Sequence, residues 1–405
     1  MGINNIRVKI RKVGCSNKNV EKKEKIYSFL TGTRGVASVL VLVHHFYLAF
    51  YPAFPLENGN MSFIHHSLNE KLYYESPFLF IVNGRFRVLI FFVLSGYVLS
   101  KREFSKDNIL DLTSASIRRF TRLFIPVAFS LVVAILLNKI AFNFSVEAAK
   151  ITKSSFILTL NSSSSLFSFF KELLFSAMFE GHSSLNPVLW TMSIELYGSF
   201  LVFSLIALTR NIKKRSLVWF SVFLLLILRH EVDYSAFILG MLLNYLDDIK
   251  FEDGFWKTSL IFLGVACSLM LGGYTANSSG TIYESLPNMF KNYAVLVNLI
   301  GAFILILLIQ HSNTIKKFLS FRFFTFLGNT SFSVYLIHIL VLSSFSSFLL
   351  IKVSGILTYN VAVFVISILS FLLIYILGYL MTLFIDKKAI IASNLVYTKL
   401  FKSSN

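Results

Sequence analysis

Apolar stretches near twenty residues long alternate with shorter polar segments along the whole chain. Ten are legible, at about 27–50, 78–100, 123–142, 187–209, 216–230, 234–247, 258–274, 292–311, 326–350 and 361–385. A helix needs roughly twenty apolar residues to cross a bilayer core, where each backbone group must be satisfied within the segment. The pattern predicts an all-α, polytopic integral membrane bundle of about ten transmembrane helices. The fifth and sixth stretches are short and joined by the polar link His230-Glu231-Val232-Asp233. They read as two crossings or as one re-entrant pair. The segment from about 143 to 186 is polar at Ser162 to Ser165 and amphipathic from Leu166 to Met178, which suits a helix lying at the interface.

Charge adds an orientation. With the N-terminus inside, the inner segments hold 27 of the 38 Lys and Arg and the outer ones 8. That asymmetry is the positive-inside pattern, and it predicts that both termini are cytoplasmic. It also accounts for the net charge of +18, so no nucleic-acid partner is expected. Residues 1–26 are basic, with no apolar run or small-residue cleavage site, and read as a cytoplasmic arm rather than a signal peptide. Residues 27–385 read as one membrane domain and 386–405 as a cytoplasmic tail. The composition, 55% hydrophobic and 14% charged, excludes a water-soluble enzyme or a disordered chain. Cys15 and Cys267 are too few and too differently placed for a disulfide framework.

Ionisable groups within a bilayer cost on the order of 2.5–3.5 kcal/mol at a helix centre, so the few retained are informative. Arg34 and His45 share the first stretch, eleven residues apart. At 100° and 1.5 Å per residue they project from one face, about 16 Å apart. Gly35, Ala37 and Ser38 leave room for a neighbouring helix. His44 points about 100° away from His45, and His65-His66 lies in an outer loop, so no metal site is expected. In the fourth stretch Pro187 suits a helix start, and Pro187, Thr191 and Glu195 form a stripe at four-residue spacing. An acid at the depth of Glu195 must pair, face water or be protonated. In the ninth stretch Ser331, Tyr335 and His338 follow i, i+4, i+7 and share a face. Arg118, Arg119 and Arg122 precede Pro126. They read as a positive-inside anchor or as a clamp for phosphates, which the planar fork of guanidinium donors suits.

At these residues the chain resembles integral-membrane acyltransferase family 3, whose members acylate surface polysaccharides, O-antigens and related acceptors. Gly32-Thr33-Arg34-Gly35-Val36-Ala37 with His45 is similar to its first-helix signature. Gly84-Arg85-Phe86 with Phe91-Phe92-Val93-Leu94-Ser95-Gly96-Tyr97, the Arg118-Arg119 segment, Trp190-Thr191-Met192 with Glu195, and Ser331 to His338 resemble four later motifs in order. Two departures stand out: Thr31 and Leu89 occupy places where relatives commonly carry an acid. The resemblance implies a membrane O-acyltransferase of the bacterial cytoplasmic membrane. It also implies acetyl-CoA, or another acyl-CoA, as donor, and a glycan or lipid-linked sugar hydroxyl as acceptor.

Acyl transfer requires that donor phosphates be held, that the hydroxyl lose a proton, and that the thioester oxyanion be stabilised. Arg118, Arg119, Arg122 and Arg85 are the candidates for the first, with Arg34 expected near the thioester end. His45 is the candidate general base, oriented or assisted by Glu195. Arg34, Tyr335 and Ser331 are possible oxyanion donors, and Trp190, Thr191 and His338 are expected to line the site. The competing reading is a proton-coupled transporter or flippase, with Arg34, His45 and Glu195 as its relay.

Overall fold

The computed structural model describes residues 17–51, 76–104, 109–160, 165–247, 254–276, 281–286 and 288–401. The described residues are helical throughout, without a strand. The principal elements are α1 (Asn17–Phe50), α2 (Gly84–Phe104), α3 (Ile109–Lys139), α4 (Trp190–Thr209), α5 (Arg215–Leu228) and α6 (Val232–Leu243). They continue as α7 (Phe255–Gly273), α8 (Ala294–His311), α9 (Arg322–Val341), α10 (Tyr359–Met381) and α11 (Lys387–Phe401). Among the described residues, seven helical stretches are long and apolar enough to cross a membrane. The protein is therefore an integral membrane helical bundle. His65 and His66 fall outside the described residues.

Three of the ten predicted stretches do not meet the length-and-apolarity test, for two reasons. The second is α2, interrupted by Arg85, Arg87 and Lys101. Instead of facing lipid it runs through the middle of the bundle against α1, α4, α6 and α8, with Phe86, Leu89, Phe92, Val93 and Leu94 buried. The fifth and sixth are α5 and α6, of 14 and 12 residues. At 1.5 Å per residue they reach about 21 and 18 Å, short of a core of roughly 30 Å. The turn between them puts His230 at φ 60°.

Helices bury no lipid-exposed surface hydrophobically when they associate in a membrane, so close packing of small residues carries the contact. α1 runs parallel to α9 and against the short helix Asn313–Leu319 that precedes it, and three glycines set the approach. A Cβ on Gly32 would meet the Leu319 backbone, one on Gly35 the backbone of Phe324 and Gly328, and one on Gly328 the Thr31 carbonyl. This contact aligns the polar faces of the two helices. α3 begins well before the apolar stretch, so the Arg118–Arg122 segment is its early turns and not a loop. Pro126 within it removes the backbone hydrogen bond to the Arg122 carbonyl.

The helix boundaries cross the expected domain limits. α1 starts at Asn17, and α10 continues through a π-helical turn, Thr382–Asp386, into α11. α9 likewise passes through Leu342–Ser346 into the short helix Ser347–Val353. Buried serines bond back to the carbonyls of that turn, Ser344 Oγ to Leu340 O at 2.5 Å and Ser347 Oγ to Leu342 O at 2.8 Å. Between α3 and α4, short helices pack over the end of α1 and bring Phe156 against it.

Candidate active site

α1, α2, α3, α4 and α9 enclose a cavity of about 120 Å³, with Val88, Phe91, Phe92, Leu123, Met192 and Phe332 as its apolar walls. From Val88 to Ser95 it follows seven residues of α2, or about 10 Å. One end is charged. Arg119 pairs with Glu195 Oε2 and donates from Nε to Ser199 Oγ at 2.8 Å. Ser95 Oγ donates to the other carboxylate oxygen of Glu195 at 2.8 Å. Glu195 and Ser199 are four apart and so share a face of α4. Arg34 and Arg122 line the same end. Arg34 makes no hydrogen bond or ion pair among the described residues; it feels the charges of Glu195, Arg119 and Arg122 at longer range. Three guanidiniums thus face one carboxylate.

The other end is closed by hydroxyls. Tyr335 Oη donates to the Val188 carbonyl at 2.7 Å and lies 2.8 Å from Thr191 Oγ1. Ser331 Oγ donates to the Gly328 carbonyl at 2.7 Å. One turn beyond Tyr335, outside the cavity lining, stand His338 and His45, with Nε2 of the former 3.1 Å from Nδ1 of the latter. His338 Nδ1 is 2.6 Å from the Tyr335 carbonyl, so that nitrogen carries the hydrogen and Nε2 accepts. His45 Nδ1 must then be protonated, and it is also 3.0 Å from the Val41 carbonyl. Nε2 of His45 is left as a bare lone pair. Phe156 stacks on the ring at 5.6 Å.

The structure rearranges several expectations. Glu195 sits with Arg119, not with His45, because it faces α2 and α3 at the charged end. Arg34, expected near the thioester end of the donor, joins Arg119 and Arg122 at the charged end, about 16 Å along α1 from His45. Arg118 is turned about 100° from Arg119 and lies over the Tyr397 ring of α11 at 5.4 Å, away from the cavity. Arg85 is far from the other arginines: its Nη2 reaches both oxygens of Asp233 at 3.1 and 3.2 Å, and its guanidinium covers Trp190 at 5.3 Å. Trp190 is occupied by that contact and does not line the cavity, whereas Thr191, Ser331 and Tyr335 do. His338 serves His45 instead of the cavity wall. His44 turns to α2, with Nδ1 2.5 Å from the Val82 carbonyl. Among the described residues no group of three or more His, Cys, Asp or Glu is placed to hold a metal.

Sequence reasoning passed over Ser95, Ser199, Asp233 and Phe156. Ser199 carried a signal, since it lies one turn after Glu195 on the same stripe. Asp233 was visible as an acid in the tight link, but nothing local pointed it at Arg85.

Comparison with known proteins identifies the family. The family model described as "Acyltransferase domain" matches residues 27–379. A curated relative, the O-acetyltransferase PaAT-1 of Phomopsis amygdali, is 23% identical over 373 residues, covering 77% of this chain and 71% of its own length. No solved structure matches the chain. A match across most of the sequence decides against the transporter reading: the chain belongs to this acyltransferase family and is a membrane O-acyltransferase.

Proposed function

We propose that the enzyme transfers an acetyl group from cytosolic acetyl-CoA to a hydroxyl of a cell-surface glycan, such as a capsule, an O-antigen or an exopolysaccharide, free or lipid-linked. It resides in a bacterial cytoplasmic membrane, crossing it about ten times with both termini inside. The basic inner segments and the likeness to the O-acetyltransferase PaAT-1 support this reading.

One observation carries it. α1 and α9 run together from the three-arginine end of the cavity to the paired imidazoles, so a site for an anion and a base share one axis. Arg34, Arg119 and Arg122 hold the donor phosphates as charge-assisted hydrogen-bond donors. The apolar walls take the pantetheine arm, whose extended length is of the same order as the distance from Arg34 to His45, and the Tyr335 contact that closes the cavity opens to let the thioester reach the imidazole. The acceptor oxygen attacks the thioester carbonyl carbon while its proton passes to His45 Nε2. The C–S bond breaks, and the same proton leaves Nε2 for the departing sulfur. His338 fixes the tautomer of His45 through Nδ1 and is a positioning residue, as the third group of a catalytic triad is.

The test has two parts. Purified protein should be thermally stabilised by CoA, and surface glycan from cells carrying the protein should bear O-acetyl groups absent from cells lacking it. Stabilisation without glycan acetylation would redirect the acceptor assignment, and absence of both would remove the proposal.

A further inference from the structure

A second cavity, of about 170 Å³, lies at the start of α2, between the α5–α6 turn and the start of α8. Arg85, His230, Glu231, Asp233, Asn292 and Tyr293 line it. Its character is unlike that of the first. The donor cavity is apolar with charges at one end, whereas here polar groups surround the space. Arg85 and Asp233 neutralise one another. The side chains of His230, Glu231, Asn292 and Tyr293 make no hydrogen bond or ion pair among the described residues, and the aromatic residue Tyr293 is 46% exposed. These unengaged groups supply an acceptor carboxylate, an amide that both donates and accepts, an imidazole and a phenol.

The cleft adjoins both halves of the machinery. Arg85 lies over Trp190, whose neighbour Thr191 lines the donor cavity. Gly84, next to Arg85, lies directly beneath the His44 ring, which is 4.9 Å from the ring of His45. A ligand here would be close to the base without occupying the path of the donor.

We propose that this cleft is a binding subsite for a neutral sugar ring of the acceptor. Its hydroxyls exchange hydrogen bonds with Glu231, Asn292 and the outer edge of Arg85, and its C–H face lies on Tyr293. With Arg85 already balanced by Asp233, the Glu231 carboxylate is the lining charge left without a counter-ion among the described residues. A phosphate or a uronic acid is therefore repelled, and the selected class is neutral. Binding energy from a ring remote from the reacting hydroxyl orients that hydroxyl at His45. The proposal rests on the glycan reading given above.

The experiment applies purified full-length protein to immobilised neutral, amino and acidic saccharides, with CoA-induced thermal stabilisation measured on the same samples. Wild type should be retained on neutral saccharides. The double variant Glu231→Ala/Asn292→Ala, altering two exposed side chains, should lose about tenfold or more in retention, as removal of two hydrogen bonds implies, with CoA stabilisation unchanged. Retention on no neutral saccharide, retention confined to acidic ones, or equal retention of the variant overturns the subsite. Loss of CoA stabilisation in wild type with sugar retention intact strikes the donor reading and leaves the subsite standing.

Discussion

The two ends of the site hold their polar groups in opposite ways. At the arginine end the bonds that hold the charged side chains cross between helices: Glu195 is held by Ser95 from α2 and by Arg119 from α3, and Arg119 in turn by Ser199 from α4. At the histidine end each imidazole is held by its own helix, His45 by the Val41 carbonyl and His338 by the Tyr335 carbonyl, with one bond joining them. A fixed charge in an apolar surround needs a counter-charge, and here a neighbouring helix supplies it. A neutral group that must exchange a proton needs only its tautomer set. One end is constructed to keep charge in place, the other to let a proton come and go.

The deepest break of that contrast is at the proton. His45→Ala should lower kcat by about 10²–10⁴-fold, the usual worth of a positioned acid–base group. CoA should still stabilise the variant, because the arginine end is intact. An active alanine variant, or one that no longer responds to CoA, would merge the two ends into one function.

At the arginine end the prediction separates two residues of identical chemistry. Arg119→Ala removes the ion-pair partner of Glu195, leaving it Ser95 and the longer-range charges of Arg34 and Arg122, and should cost about 1.5–3 kcal/mol of stability, the worth of a hydrogen bond to a charged group. Glu195→Ala in the same background should restore much of it, read by thermal unfolding. Arg34 has no partner to strand. Arg34→Ala should leave stability nearly unchanged and raise the donor KM by roughly 10–100-fold, from a lost charge-assisted bond of about 1.5–3 kcal/mol. Equal destabilisation by the two substitutions would mean that Arg34 is structural.

How much of this was legible from the chain depended on the range of each interaction. Spacing along one helix is local, so Arg34 with His45, and Ser331 with Tyr335 and His338, could be assigned to faces without a structure. Which helices those faces meet is not local. The pairing of Glu195 with Arg119 requires α3 beside α4, and that of Arg85 with Asp233 requires α2 beside α6. Hydropathy leaves such neighbours undetermined, because in lipid every apolar face is equally acceptable. Gly32 and Gly328 hold that information in principle, but a glycine does not name its partner.

His338 tests the weaker half of the comparison. Removing its single bond to His45 should lower kcat by about 3–10-fold, matching a net hydrogen bond of roughly 0.5–1.5 kcal/mol, with the donor KM unchanged. His338→Gln, which can still present an acceptor to Nδ1, should recover part of the loss. A role limited to filling space would show no such recovery.

Arg118 gives the smallest expected effect, and it bears on how the arginine segment should be read. A chain-order argument groups Arg118, Arg119 and Arg122 as one clamp, and helical spacing alone does not part them, since Arg118 is four residues from Arg122; what each meets on the neighbouring helices does. Arg119 and Arg122, three apart, share the cavity face of α3, while Arg118 lies over Tyr397 of α11. A partly buried cation–π contact is worth about 0.5–2 kcal/mol. Arg118→Ala should therefore lower the unfolding midpoint slightly and alter the donor KM by less than about twofold, whereas Arg122→Ala should raise it in the manner of Arg34→Ala. The comparison is informative because the two substitutions remove the same charge from the same stretch of helix. If both raise KM alike, long-range attraction by the basic rim holds the donor, and the cross-helix geometry of the cavity is incidental to binding. If only Arg122 does, the donor is held by contact, and the face on which each guanidinium stands decides its part in the reaction.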